Sequence, residues 1–484
     1  MLLRDLLGEA AGDVEVTDLA YDNRRVGPGA LFFCVPGFAR DGHDFAPDAV
    51  ERGAAALVVA RRLDLDVPQV LVPDVRAAMA EAAARFCGDP TATLPVVGIT
   101  GTNGKTTTAF LLRELLEADG RRCGLLGTVK SVVGGAEQEM QRTTPEAIDL
   151  QPVLRAMLDQ GDAACAMEVS SHALELRRVD AIHFAAAVFT NLTQDHLDFH
   201  PSMEAYFQAK RRLFTGTPGP PAVRIANVDD AYGRRLAEEF EGTVTFALDG
   251  PADYTAGDIH SGFAGSSFTL RTPDGPLEVR SPLPGRFNVS NVLGAVAAAR
   301  ALGVGTETIA AALADAGRVP GRFEPVDAGQ EFAVLVDYAH TPDSLENVLR
   351  AARDLAAPGG RVLCVFGAGG DRDRRKRPLM GAIAARLADQ VLVTSDNPRS
   401  EAPERIIAEI LTGVGARPAG AGPVEIEADR RRAIGRAVEL ARPGDVLVIA
   451  GKGHEQGQEF SGGRKEPFDD VAVAREALGA AVRA

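Results

Sequence analysis

The sequence predicts an α/β protein of three domains, the central one built on a mostly parallel sheet with a phosphate-binding loop and the last doubly wound. Three observations lead there. At 484 residues the chain exceeds what one hydrophobic core supports, roughly 250 to 300 residues, so two to four domains are expected. A strand, a Gly-rich turn and a helix follow one another over 95–118. Short apolar runs then recur between helical stretches, and loops rich in ionisable residues follow them.

Taken in order, residues 1–90 mix β-like runs at 30–35, 56–60 and 70–72 with an Ala-rich helical stretch at 76–86, and Gly88-Asp89-Pro90 breaks the chain. The central segment, 91–320, opens with a strand at 95–100 and a helix at 106–118. Runs at 164–168 and 185–189 read as buried strands, being short, apolar and bounded by polar turns. Gly, Ser and Thr enrichment over 250–279 reads as a hairpin region, and 289–302 as a helix. The pattern resets around Arg318-Val319-Pro320-Gly321. Strands at 333–336, 361–366, 390–394 and 446–450, separated by helical sequence, then predict a third domain over 321–484.

Composition excludes several classes. Hydrophobic residues at 45% and charged residues at 25% are those of a folded globular chain, not of a disordered or fibrous one. A formal charge of −15 argues against a nucleic-acid coat or a binder of anionic membranes. Five scattered cysteines with no C-x-x-C pair support neither a disulfide framework nor a thiolate zinc site, and fit a reducing compartment. The apolar start meets Arg4 and Asp5 at once and no apolar run approaches the ~18 residues of a span, so a cytoplasmic protein is expected.

The sharpest chemical signal is Thr100-Gly101-Thr102-Asn103-Gly104-Lys105-Thr106-Thr107 between strand and helix. Backbone N–H groups of such a loop face a phosphate, the helix N-terminus adds positive potential, Lys105 reaches the outer phosphates and Thr106 can ligate Mg²⁺. It departs from the strict G-x-x-x-x-G-K-[ST] pattern: Ile99 holds the first glycine position and Gly98 stands one residue early. Ligands bind beyond the carboxyl ends of strands in open α/β sheets, which puts Glu168 and His196 where a nucleotide's metal ions would lie. Lys210, in a helical stretch, reads from its context as a solvated lysine. In the third domain, loaded loops follow four strands: Asp337-Tyr338-Ala339-His340-Thr341-Pro342-Asp343, Gly367-Ala368-Gly369-Gly370-Asp371-Arg372-Asp373, Asp396-Asn397-Pro398-Arg399 and Gly451-Lys452-Gly453-His454-Glu455. The basic run from Arg372 to Arg377 is either a solvated patch or a site for carboxylates or phosphates.

The phosphate loop, with Glu168-Val169-Ser170-Ser171-His172, Asn191-Leu192-Thr193-Gln194-Asp195-His196-Leu197-Asp198 and the first and last of those third-domain loops, resembles the Mur ligases in nearly the whole chain and in the right order. The resemblance implies an N-terminal domain holding UDP, a central ATPase and a C-terminal Rossmann-like domain receiving an amino acid. It implies a monomer that adds the third peptide residue to UDP-N-acetylmuramoyl-L-alanyl-D-glutamate in cell-wall synthesis. ATP would phosphorylate a substrate carboxylate, and the incoming amine would attack the acyl phosphate.

Carried over residue by residue, the resemblance implies catalytic roles for Lys105, Lys210 and His196. It implies ATP contacts at Gly101, Thr102, Asn103, Gly104, Lys105, Thr106, Thr107, Asn288, Asn291, Arg322 and Asp337. The UDP-muramoyl dipeptide would meet Asp22, Asn23, Arg24, Thr143, Thr144, Glu146, Ser170 and Arg178. Mg²⁺ would lie near Thr106, Glu168, His196 and Lys210, the last as a carbamate formed with CO₂. The family's uridine motif usually reads Asp-Ser-Arg, whereas here it is Asp22-Asn23-Arg24; Asn keeps a donor and an acceptor. Family members that add meso-diaminopimelate carry Asp-Asn-Pro-Arg where lysine adders lack the arginine, so Asp396, Asn397 and Arg399, with Arg377, Gly451 and Glu455, would hold meso-diaminopimelate. The alternatives are a lysine-adding Mur ligase, a folylpolyglutamate synthase, which needs no first domain with the Asp22-Asn23-Arg24 element, and a nucleotide switch, which leaves the third domain's loops idle.

Overall fold

A computed structural model of the chain describes residues 1–37, 40–138, 142–216, 218–415 and 422–481. The chain divides into two compact units, one of residues Met1–Thr100, Leu116–Val188 and Gln208–Ile225, the other of Gly101–Leu115, Phe189–Phe207 and Ala226–Ala484.

The first unit opens with four strands, β1 (Asp18–Ala20), β2 (Ala30–Phe33), β3 (Ala54–Val59) and β4 (Gln69–Leu71), parallel and in sequence order. Both faces of β2 and β3 are covered, which is why they read as unbroken apolar runs. Leu31, Phe33 and Val58 pack with Met79, Ala82 and Ala83 of the helix Val75–Phe86, one stripe at helical spacing. Phe32, Leu57 and Val59 bury the other face with Ala46 and Ala49. Asp74 starts that helix by accepting from the N–H groups of Arg76 and Ala77. The unit's second sheet takes β5 (Val96–Thr100), β6 (Cys123–Leu126), β7 (Ser131–Val133), β8 (Ala136–Gln138), β9 (Ala164–Glu168) and β10 (Phe184–Phe189) in the order β10-β5-β9-β6-β7-β8. The pairs β5–β9 and β9–β6 are parallel, and β7 and β8 extend the edge as an antiparallel pair. Strand β11 (Val223–Asn227) runs across the division.

In the second unit β12 (Val244–Ala247) pairs parallel with β13 (Tyr254–Gly262), which continues as an antiparallel meander through β14 (Gly265–Thr272) and β15 (Gly275–Ser281). This is the region read as a hairpin. A second sheet follows: β16 (Glu324–Pro325), β17 (Ala333–Asp337), β18 (Val362–Phe366), β19 (Gln390–Val393), β20 (Val424–Ile426) and β21 (Val446–Ala450), in the order β16-β17-β21-β18-β19-β20. All but the edge strand β16 run parallel. The helices Pro342–Leu355, Lys376–Leu387 and Pro403–Leu411 cover one face, and Arg430–Leu440 with Asp470–Ala481 the other. A small hairpin, β22 (Gly457–Glu459) and β23 (Lys465–Pro467), comes last.

The strands expected at 95–100, 164–168, 185–189, 333–336, 361–366, 390–394 and 446–450 all exist, each end displaced by at most one residue. Strands β6 to β8, β11 and β12 were not legible, being short or only half buried. Residues 1–90 hold the whole four-stranded sheet and 321–484 the whole six-stranded one, while the division between the units passes through 91–320. Among the described residues no helix is long and apolar enough to cross a membrane.

Candidate active site

The loop after β5 leads into the helix Lys105–Ala118. Two glycines shape it. Gly101 has φ +150°, and a Cβ there would lie 1.8 Å from Thr190 Oγ1; Gly104 has φ +86°, and a Cβ would lie 2.3 Å from Asn291 Oδ1. Neither position admits a side chain, so bare backbone lines the turn. Gly98 is different: it lies inside β5, where a Cβ would press on Phe184 and Leu213. It serves packing, and Gly101 takes the part of the loop glycine that the strict pattern places two residues earlier. Lys105 Nζ donates to the carbonyls of Gly101 (2.8 Å) and Thr102 (2.7 Å), curling back over the loop.

A segment after β10 clamps this loop. Asn191 Oδ1 accepts from Asn103 N (2.9 Å), Thr190 Oγ1 donates to Asn103 O (2.6 Å), and Thr102 Oγ1 both accepts from Thr193 N and donates to Thr193 O. Asn103 Nδ2 donates to Asp343 Oδ2 (2.7 Å), and Arg322 donates to Thr106 Oγ1 (3.1 Å) while its guanidinium lies 4.4 Å from the centre of the Tyr338 ring. Arg322 Nε is buried with no acceptor among the described residues, a donor left for a ligand. Asp337, buried at the end of β17, accepts from the backbone N–H groups of Phe323 (2.6 Å) and Ala339 (2.7 Å), and burial pushes its carboxyl up to about 6 despite Arg322. Asn288 and Asn291 form one buried ladder, Asn291 Nδ2 donating to Asn288 Oδ1.

Beside the loop lies a charged cluster. Asp195, only 5% exposed, has Lys376 Nζ at 3.4 Å, His196 Nε2 at 3.5 Å and His340 Nε2 at 3.8 Å. Burial alone would raise its carboxyl; Lys376 first, then the His196 and His340 rings when protonated, hold it well below the usual carboxylate range. His196 itself adopts the left-handed backbone (φ +56°), and its ring meets Tyr206 edge-on.

The first unit gathers a separate group. Glu168, at the end of β9 and buried, accepts from Thr128 N (2.8 Å) and Thr128 Oγ1 (3.1 Å). Thr128 Oγ1 lies 3.0 Å from Thr143 Oγ1, and Thr144 Oγ1 donates to Glu168 O and accepts from Ser170 N. Arg178 donates to Thr144 O (3.2 Å) and pairs with Glu146 (2.9 Å), and its Nε is buried without an acceptor among the described residues. Thr143, Thr144, Glu146, Ser170 and Arg178 thus form one polar wall. Glu146 is committed to Arg76, Arg142 and Arg178, so within that wall it holds the arginine in place. Asp22 accepts from Arg24 N and pairs with its guanidinium, and Asn23 Nδ2 donates to Asp48 (2.7 Å). Their neighbours Tyr21 and Arg25 both bind Asp149, in the first turn of the helix that Glu146 precedes. Lys210, on the helix Met203–Thr215, is 1% exposed; the reading of a solvated lysine is wrong, because that face of the helix is buried along with apolar neighbours such as Leu213 and Phe214.

At the carboxyl ends of β19 and β21, Asp396 and Asn397 meet Lys452 and Glu455. Asn397 Nδ2 donates to Glu455 Oε2 (2.8 Å), and Lys452 Nζ reaches both Asn397 Oδ1 and Glu455 Oε2 at 2.9 Å. A Cβ on Gly451 would lie 2.4 Å from Asp396 Oδ2. Arg399, in the left-handed region at φ +52°, has Nε 2.8 Å from Glu459 and donates to Gly370 O. Arg377 is fully buried, its guanidinium taken by Glu401, Glu409 and the Gly369 carbonyl. These bonds brace the loops around Arg399, while its Nε is buried without an acceptor among the described residues. Sequence reasoning passed over Thr190, Asn191, Asp195, Lys376, Lys452 and Arg430. Asp195 and Lys452 stood inside quoted motifs, so their signal was position at a strand end; Arg430 carried none.

Comparison with known proteins places this geometry. The chain matches the family models described as "Mur ligase family, catalytic domain" over residues 15–87, "Mur ligase middle domain" over 99–299 and "Mur ligase, glutamate ligase domain" over 321–453. A relative from Synechococcus elongatus named UDP-N-acetylmuramoyl-L-alanyl-D-glutamate--2,6-diaminopimelate ligase is 48% identical over 97% of this chain and 95% of its own. A relative of the same name from Streptomyces coelicolor is 46% identical, over 98% and 95%. A solved structure of that ligase superposes with a TM-score of 0.71 at 33% identity, covering 100% of this chain and 99% of the other. A folylpolyglutamate synthase from Mycobacterium tuberculosis, at 18% identity and a TM-score of 0.64 over 83% of this chain and 94% of its own, shares the fold alone.

Proposed function

The chain belongs to the Mur ligase family, and we propose that it is the member that joins meso-diaminopimelate to UDP-N-acetylmuramoyl-L-alanyl-D-glutamate with hydrolysis of ATP to ADP and phosphate. It is an ATP-dependent amide-forming ligase with a three-domain α/β fold. One observation carries the substrate choice: relatives 46–48% identical along nearly the whole chain bear that name, and this chain has Asp396-Asn397-Pro398-Arg399 in the loop expected to meet the amino acid. We take 1–90, 91–320 and 321–484 as the UDP-muramoyl, ATP and amino-acid domains, in a monomer that works in the cytoplasm.

A carboxylate is a poor electrophile, so the reaction proceeds through its mixed anhydride with phosphate. The γ-phosphoryl group passes from ATP to the substrate carboxylate, giving an acyl phosphate and ADP; the amine then forms the C–N bond, loses a proton and expels phosphate. The loop of Gly101, Thr102, Asn103, Gly104, Thr106 and Thr107 cradles the phosphates, and Lys105 neutralises charge on the transferring group. Asn288, Asn291, Arg322 and Asp337 hold the rest of the nucleotide. Asp22, Asn23, Arg24, Thr143, Thr144, Ser170 and Arg178 hold the UDP-muramoyl dipeptide, with Glu146 fixing Arg178. Mg²⁺ suits hard oxygen donors, one or two side chains together with the phosphates. By the family resemblance, the residues that would hold it are Thr106, Glu168, His196 and Lys210 as a carbamate, and the ion would neutralise phosphate charge. Arg399, braced by Arg377, meets the distal carboxylate of meso-diaminopimelate, which L-lysine lacks.

The test is ADP release with defined substrates. It should require both the UDP-muramoyl dipeptide and meso-diaminopimelate, and L-lysine should be a poor replacement. Nucleotide turnover independent of both, or a preference for lysine, would sink the assignment. Lys210→Ala should be inactive and partly rescued by a small carboxylate; full activity without rescue removes Lys210 from the site.

A further inference from the structure

We propose that Lys452 is a positioning residue of the amino-acid pocket, whose buried ammonium, through Asn397 and Glu455, sets the carboxylates of Asp396 and Glu455 to receive the ammonium group of the incoming amino acid. The inference rests on the reading of that pocket given above.

The argument begins with a cation where none is cheap. Lys452 is 0% exposed, and a buried ammonium persists only when paired and hydrogen-bonded. Its Nζ lies 2.9 Å from both Asn397 Oδ1 and Glu455 Oε2. Asn397 Oδ1 also accepts from Glu459 N (3.0 Å), so two donors fix which end of the amide is oxygen and turn Nδ2 onto Glu455 Oε2. Glu455 Oε2 is thereby filled twice, whereas Oε1 receives no hydrogen bond among the described residues.

Asp396 shows the same asymmetry. Its Oδ1 accepts from Asn397 N (2.6 Å), while Oδ2, on a side chain 7% exposed, is buried without a donor among the described residues. Burial would raise this carboxyl, but Lys452 first and then Arg430 hold it below the usual range. Arg430 is itself neutralised by Asp470, 2.7 Å away with both side chains fully buried, and donates to Ala450 O. The pocket thus keeps two carboxylates against one uncommitted cation. That leaves one negative charge and two vacant carboxylate oxygens, the complement of one further ammonium. Without Lys452 the two carboxylates would repel, one would take a proton, and the amide of Asn397 would lose the donor that fixes it.

The experiment compares wild type, Lys452→Met and Lys452→Gln by steady-state kinetics, with KM measured separately for ATP, the UDP-muramoyl dipeptide and the amino acid. In both variants KM for meso-diaminopimelate should rise on the order of tenfold or more, further in Met than in Gln because Gln keeps a donor, while KM for ATP stays within about twofold. A folded variant with unchanged amino-acid KM, or with all three KM values raised together, overturns the proposal. Failure of both variants to fold overturns it too, because Lys452 would then be a folding residue. If wild type does not use meso-diaminopimelate, the substrate reading fails instead, and the same comparison is made with the amino acid that wild type does use.

Discussion

At residues 101–107 two glycines stand where no side chain fits, hydrogen bonds with the Thr190 and Asn191 side chains hold the backbone of Asn103, and Thr193 holds the Thr102 hydroxyl. At 394–399 and 451–455 the loops are instead held by charge: Lys452, Arg430 and Arg377 are buried, Arg430 against the equally buried Asp470 and the other two against the half-buried carboxylates of Glu455, Glu401 and Glu409. The first arrangement is steric and local, and it suits a ligand common to all nucleotide enzymes. The second is electrostatic and assembled from distant segments, and it suits a choice between two amino acids that differ by one carboxylate.

Changes to the steric loop should have the largest effect. Gly101→Ala forces a Cβ to 1.8 Å from Thr190 Oγ1 at φ +150°, and Lys105→Ala removes the loop's cation. Either should lower kcat by on the order of 10²- to 10³-fold or more. Near-normal turnover in Lys105→Ala would refute its role and blunt the contrast.

The electrostatic region should fail first in stability. Arg377→Ala strands Glu401, whose carboxyl the arginine holds down at about 2, and takes from Glu409 its one buried partner, leaving it Arg374 and Arg405. A loss of about 3 to 5 kcal/mol is expected, read as a lower Tm in calorimetry; an unchanged Tm would mean the loops do not depend on buried charge.

Next comes selectivity. Arg399→Ala should cost on the order of 2 to 5 kcal/mol, at least about thirtyfold in kcat/KM for meso-diaminopimelate, with little change for L-lysine. Unchanged discrimination between the two amino acids would remove Arg399 from the specificity role.

The smallest effect joins the two regions at Asp337. Its folded-state carboxyl is raised from 3.8 to about 6, so the native state binds the proton more tightly than the unfolded chain. The associated stability is present below about pH 4 and is lost as pH rises through about 6, at a rate of at most about 1.4 kcal/mol for each pH unit crossed. Asp337→Asn, which cannot ionise, should therefore gain on wild type across that window in urea unfolding, though it can satisfy only one of the two backbone N–H donors. A pH-independent difference between the two proteins would show that Asp337 does not titrate there.

The steric loop was legible because its demands fall on consecutive residues between one strand and one helix; Gly101 and Gly104 stood in the motif as read, and the fold gives Gly98, off the strict pattern by one residue, a packing role. The parallel strands β17, β18, β19 and β21 were legible for a similar reason: burial on both faces makes them unbroken apolar runs. From its helical context alone Lys210 read as solvated, and only the resemblance set it at the site, since one residue in a helix carries no sign of which face is buried.

The sequence by itself determined the α/β class, the order of strands and loops, and the residue types at each strand end, because those follow from short-range periodicity and turn chemistry. The tertiary structure alone decided which charges are spent and which remain for a ligand. Arg377 and Glu146, expected at a ligand, pair with Glu401 and Glu409 and with three arginines, while Lys452, passed over, stands between Asn397 and Glu455. The physical reason is that a buried charge is defined by its partners and its loss of water. Some partners are local, Glu455 three residues from Lys452 and Arg142 four from Glu146, but the others named include pairs 24, 32, 55 and 70 residues apart along the chain, beyond the reach of any local pattern.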